Sequence, residues 1–160
     1  MDYIKNAVKL RRELHQIPEL GWGEFCTTAK ILETIEPLGW KTFVGVEQIG
    51  LDAVMGRPED FVEKSKKRAL EEGVDPTLIE RMHGYTGTIA ELDTGRPGPV
   101  TALRFDIDCV GVEETDLKDH LPNKENFRSR HAGVMHSCGH DGHTAVGLSI
   151  TKISCAEELN

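Results

Sequence analysis

Two helical hydrophobic patterns, each stopped by a proline, restrict this chain more than any other feature. Ile4, Ala7, Val8, Leu14 and Ile17 recur at roughly helical spacing until Pro18. That spacing predicts an amphipathic helix over residues 3–16, with Lys5, Lys9, Arg12 and Glu13 on its polar face. A second helix is predicted from Glu24 to Glu36, where Phe25, Ala29, Leu32 and Ile35 share one side before Pro37 and Gly39 end it. Trp40 to Val46 then reads as a strand. Helices alternating with extended segments point to an α/β layered domain rather than an all-helical bundle.

Further along, the segment RPEDFVEKSKKRALEEGVDPTLIERMHG is abruptly charged, and Pro58 suits the first turn of a helix. It predicts one or two surface helices inserted between strands at about residues 57–83. Thr86 to Leu92 has strand character, Asp93 to Gly98 forms a turn, and Pro99 to Asp108 is extended again, which makes a hairpin of these two segments the expectation. Residues 115–134 are polar, with Pro122, Asn123 and Gly133, and read as a long irregular loop, a length that usually serves function or is disordered.

At 160 residues one domain is expected, since the length supports one real hydrophobic core. A hydrophobic share of 38% and a charged share of 29% describe a globular chain rather than a disordered or membrane-embedded one. Met1 to Leu14 lacks the uninterrupted apolar core of a signal peptide or membrane span, so a cytoplasmic location and no membrane partner are expected. A net charge of −8 argues against nucleic acid as a partner. Cys26, Cys109, Cys138 and Cys155 form no CxxC pair and signal neither a disulfide framework nor a tetrathiolate zinc site.

The chemistry is concentrated in His136-Ser-Cys-Gly-His-Asp-Gly-His143, where three imidazoles, a thiol and a carboxylate share eight residues flanked by glycines. Cys138 and His140 project the same way in extended backbone, so both could address one metal if Gly139 lies in a strand end or loop. Upstream, Arg104-Phe-Asp-Ile-Asp108 places Asp106 and Asp108 on one face of a strand end, suited to metal binding or to supporting it. A mixed Cys, His and carboxylate set favours zinc or another first-row metal over magnesium or calcium. Two other readings stay open at this level. The histidines could cap a helix while Cys138 packs as a small hydrophobe. Alternatively, Cys138 could be a nucleophile with His136, His140 or His143 as its base. His15, at a helix end, reads as a partner for terminal carbonyls.

RRELHQIPELGWGEF, TGTIAELDTGRPGPVTALRFDID and GVMHSCGHDGHTAVGL together give the chain a family resemblance. It resembles the aminoacylase and carboxypeptidase type of metallo-amidohydrolase, with its closest likeness to the aminobenzoyl-glutamate utilization protein A group, neighbours of the auxin-conjugate and hippurate hydrolases. The resemblance implies a three-layer α/β/α catalytic domain interrupted by a smaller dimerisation domain. It also implies a site for two zinc or manganese ions and hydrolysis of the amide bond of small N-acyl amino acids such as aminobenzoyl-glutamate.

Carried onto this sequence, the resemblance makes Cys138 and His140 metal ligands and Asp108 the acid beside the site. Asp106 stands where carboxypeptidase relatives carry a histidine ligand, and takes a supporting role; His143 is a further candidate. The family's base is a glutamate in a Glu-Glu pair well beyond the CGHDGH motif. Glu157-Glu158 is too close to the motif for that pair and reads as a charged helix end. The expectation is therefore the first part of a catalytic domain, without the dimerisation domain and the C-terminal part. A homo-oligomer or a companion C-terminal chain would be its partner, and a noncatalytic or split-enzyme fragment is the alternative. An incomplete sheet exposes an edge, so self-association or instability is expected as well.

Overall fold

A computed structural model describes residues 2–154 of the chain. Helix α1 (Tyr3–His15) opens with the Asp2 carboxylate accepting from the Lys5 amide. Its buried stripe is Leu10, Leu14 and His15, whereas Ile4 is 78% exposed and Val8 is also open to solvent. The helix boundaries agree with the sequence expectation, but the buried face is rotated away from Ile4 and Val8. Helix α1 packs against the partner helix α6 (His140–Ser154), with Leu10 and Leu14 against Ala145 and Leu148.

Helix α2 (Phe25–Ile35) is the centre of the fold and is buried on two sides. Phe25, Ala29 and Leu32 join Ile17, Val44, Val62, Ala69, Ile79 and Met82 in one core. Ile31 and Ile35 join the α1–α6 seam in a second. Its start is secured by Glu19, a fully buried carboxylate that accepts from the Cys26 and Thr27 amides at 3.2 and 2.8 Å and from the Thr27 hydroxyl at 2.9 Å. Arg68 neutralises it at 2.8 Å. These bonds satisfy amides that a helix start leaves without intrahelical partners.

The charged insertion forms two helices, α3 (Glu59–Glu71) and α4 (Pro76–Met82). They are not merely surface helices: Val62, Ala69, Ile79 and Met82 are buried in the first core. Charges occupy the outer face, and the sparse apolar positions between them provide the inner one. Gly45 (φ +62) lies against the end of α4, and a Cβ there would run into the Met82 carbonyl.

Strand β1 (Lys41–Val44) pairs antiparallel with β2 (Thr88–Glu91), with Val44 opposite Thr88 and Lys41 opposite Glu91. The expected hairpin between β2 and the segment ending at Asp108 is therefore not formed. Pro99 lacks an amide donor and Val100 is 96% exposed. Beyond them, backbone groups find other partners: Thr144 donates to the Asp106 carbonyl at 3.2 Å, and the Cys109 amide donates to the Glu19 carbonyl at 2.7 Å. Phe105 lies against Gly147 of α6. Layers of helix around a small sheet make this a partial α/β domain.

The long polar loop is largely irregular, as expected, with one helical turn, α5 (Leu121–Lys124). Reciprocal bonds between Val110 and Met135 close its ends. That closure brings Asp108 beside the segment that begins at His136. The remaining sequence expectations, on Cys155 and Glu157-Glu158, lie outside the described residues.

Candidate metal centre

Gly139, at φ +85, turns the chain into α6, and its carbonyl accepts from the Gly142 and His143 amides. His140 is thus the first helical residue and His143 lies one turn later on the same face. Their rings stack with centroids 5.1 Å apart. Asp106, delivered by the tethered extended segment, places Oδ2 at 3.9 Å from His140 Nε2 and 3.5 Å from His143 Nδ1. Asp106, His140 and His143 can each offer one donor atom within 4.8 Å of the others.

These separations fit a cation. A tetrahedral zinc ion with ligands at ~2.1 Å keeps neighbouring donor atoms ~3.4 Å apart. Two imidazoles and a carboxylate are also a donor set for a first-row divalent ion. Asp108 supplies the orienting contact: its Oδ1 lies 2.8 Å from His140 Nδ1, where the ring donates and leaves the Nε2 lone pair directed outward. Arg104 also reaches Asp106 at 2.7 Å, but it is almost fully solvated and weakly held.

Cys138 is exposed at the rim, and its thiol points to the Asp108 carbonyl at 3.9 Å. It lies outside the Asp106–His140–His143 trio. No imidazole hydrogen-bonds to it among the described residues, so the nucleophile reading lacks its base. His136 is buried with both ring nitrogens unpartnered, and burial pushes its pKa down to about 4. Cys109 is buried and its thiol is pushed up to about 12, again chiefly by burial.

His15 is the residue that sequence reasoning misplaced. Rather than meeting terminal carbonyls, it is 2% exposed and bridges two carboxylates: Nδ1 lies 2.7 Å from Asp141 Oδ2 and Nε2 lies 3.1 Å from Glu114 Oε1. Burial opposes its charge, but the bonds to Asp141 and Glu114 outweigh it and raise the pKa. Burial likewise works against ionising Asp141, yet His15 and Arg11 bring its carboxyl below the usual range. The available signal was the position of His15 beside Leu14, on the edge of the buried stripe.

Residues 102–158 match the family model described as peptidase family M20/M25/M40. A homolog of a p-aminobenzoyl-glutamate hydrolase subunit in Haemophilus influenzae is 45% identical over 92% of this chain and 35% of its own length. A p-aminobenzoyl-glutamate hydrolase subunit from Escherichia coli is 41% identical over 88% and 33%. Among solved structures, an aminobenzoyl-glutamate utilization protein from Klebsiella pneumoniae superposes with a TM-score of 0.71 at 31% identity, covering 94% of this chain and 32% of that one. A dinuclear metal binding peptidase of the M20 family from Bacillus subtilis gives 0.59 at 28% identity, covering 97% and 32%. The chain spans about a third of the length of these relatives. Through its matched motif segment and its fold, the chain is similar to members of peptidase family M20/M25/M40 over about a third of their length.

Proposed function

We propose that this chain carries one part of a metal-dependent amidohydrolase site that cleaves the amide bond of N-acyl amino acids of the aminobenzoyl-glutamate kind. The convergence of Asp106, His140 and His143, with Asp108 orienting His140, is the observation that carries the reading. Cys138 and His140 are assigned as ligands, Asp106 and His143 as further donors, and Asp108 as the supporting acid. Cys138, at the rim, is available to a second ion, as the dinuclear relative suggests. A bound divalent cation supplies Lewis-acid polarisation of an amide carbonyl and acidifies water for attack, with zinc and manganese both fitting the donors.

In this reading the chain is the N-terminal part of the catalytic domain, with α3 and α4 as an insertion, and the base glutamate, remaining ligands and dimerisation domain belong to further polypeptide. The names of the Haemophilus influenzae and Escherichia coli relatives refer to one subunit of a hydrolase, which supports a companion chain. Among the described residues no helix is long and apolar enough to cross a membrane. Free thiols at Cys26, Cys109 and Cys138 favour the reducing cytoplasm.

Titrating the chain with zinc or manganese, then repeating with Cys138→Ala and His140→Ala, tests the site. Loss of affinity in either variant is expected, and unchanged affinity in both would sink the assignment. Hydrolysis of aminobenzoyl-glutamate only after mixing with a C-terminal half from a relative would identify a split enzyme. No hydrolysis in the mixture would favour a noncatalytic fragment.

A further inference from the structure

The helix that carries His140 and His143 needs a fixed rotation about its own axis. On α6 the two histidines share a face, while Asp141 is turned about 100° from His140 and faces the interior. A ring atom ~6 Å from the axis moves about 1 Å for a 10° turn. Metal–ligand distances hold to about 0.2 Å, so small rotations matter. The apolar seam with α1 begins at Ala145, two residues beyond His143 and more than a turn beyond His140. What holds the first turn is polar.

Asp141 Oδ2 lies 2.7 Å from His15 Nδ1 and 2.8 Å from Arg11 Nε, while Oδ1 accepts from the Gly142 amide at 2.8 Å. Arg11 is part exposed; His15 is not. The other side of the imidazole is held by Glu114, which also accepts from His120 at 2.9 Å and from the Ser129 amide at 2.6 Å. Both ring nitrogens of His15 therefore face carboxylate oxygens, which accept only, so both nitrogens donate and the ring is an imidazolium.

We propose that His15 is a positioning residue for the metal site: through its Nδ1 bond it fixes Asp141 and thereby the rotation of the first turn of α6 that presents His140 and His143. This rests on the metal-site reading above. His15 touches neither the proposed donors nor substrate, and acts through Asp141 alone.

Two substitutions separate its arms. His15→Asn leaves an amide donor near the Nδ1 position, toward Asp141, and removes the bond to Glu114. His15→Gln extends its amide toward Glu114 and removes the bond to Asp141. The full chain and both variants are titrated with cobalt(II) and followed by visible d–d absorption, with far-UV circular dichroism and urea denaturation as checks on folding. His15→Gln is expected to weaken cobalt binding about tenfold or more and to alter the d–d bands. His15→Asn is expected to retain most of the affinity. If His15→Gln does not fold, Asp141→Ala, which has no side-chain acceptor for His15, takes its place, with the same expected loss. Equal affinity and spectra for the Asp141-uncoupled variant and the unsubstituted chain would overturn the inference alone, as would an equal loss in His15→Asn. Failure of the unsubstituted chain to bind cobalt would overturn the metal site and this inference with it.

Discussion

Glu24, just before α2, offers the sharpest test of the electrostatics. It is buried, and its carboxylate accepts from the Thr86 hydroxyl. Desolvation, aided by Glu19 and Asp108, raises its pKa from 4.5 to about 7. A carboxyl whose folded pKa is raised contributes stability that is complete below pH 4.5 and is lost as pH rises through about 7. The shift corresponds to about 3 kcal/mol at 1.36 kcal/mol per unit. Glu24→Gln keeps the shape and an acceptor for Thr86 but cannot ionise. Against that gain stands the loss of a negative charge at the N-terminus of α2, worth about 0.3–1 kcal/mol. Desolvation wins, and the variant should be about 2 kcal/mol more stable than the unsubstituted chain at pH 8.5, with no advantage at pH 4. Urea denaturation followed by circular dichroism at both pH values measures the difference, provided the m-values match. A variant that is destabilised at pH 8.5, or whose advantage does not change with pH, would refute the reasoning.

Glu19→Ala should cost about 2–5 kcal/mol by urea denaturation, because it uncaps two buried amides of α2 and leaves Arg68 with the longer contact to Glu72 at 3.8 Å; a loss below about 1 kcal/mol would contradict that account. Gly147→Ala sets a helix-propensity gain of about 1 kcal/mol against overpacking of about 1–3 kcal/mol, since the new Cβ comes 2.8 Å from Phe105. Its expected signature is weakened zinc binding through displacement of the neighbouring Asp106, with a net stability loss of about 0–2 kcal/mol; isothermal titration that finds unchanged affinity would count against it. Cys138 should react quickly with an aromatic disulfide reagent in the folded chain, whereas Cys26 and Cys109, buried and with raised pKa values, should react only on unfolding. Comparison of Cys155→Ser with the Cys138→Ser/Cys155→Ser double variant isolates the fast phase, and its persistence in the double variant would refute the assignment.

What could be read from the sequence was what short range determines. Pro18, Pro37 and Gly39 mark the ends of α1 and α2 closely because they act on their own backbone. The burial of α1 was harder: Ile4 and Val8 fit its apolar spacing, but which apolar residues are covered depends on where α6 crosses. The pairing of β2 with β1, rather than with the segment after it, is nonlocal too, and the turn at Asp93–Gly98 suggested a hairpin that Pro99 and the competing tethers at Asp106 and Cys109 prevent. The glycine-punctuated cluster from His136 to His143 announced a site by density alone. That Asp106 and His143 converge there with His140, or that His15 lies beneath them, could not be seen from spacing, because these meetings depend on the closed Val110–Met135 loop and on the crossing of α1 and α6.

The β1–β2 ladder has a consequence for how the chain reaches this state. Val44 can meet Thr88 only after everything between them, including α3 and α4, has been drawn into a closed loop. Closing that loop as loose chain costs entropy before any bond of the ladder forms, whereas α3 and α4 gain contacts with near neighbours at once. The helical pair therefore condenses on α2 first and brings the ends of the loop together, and the sheet forms late, so that the ladder governs how slowly the native chain opens more than how quickly it folds.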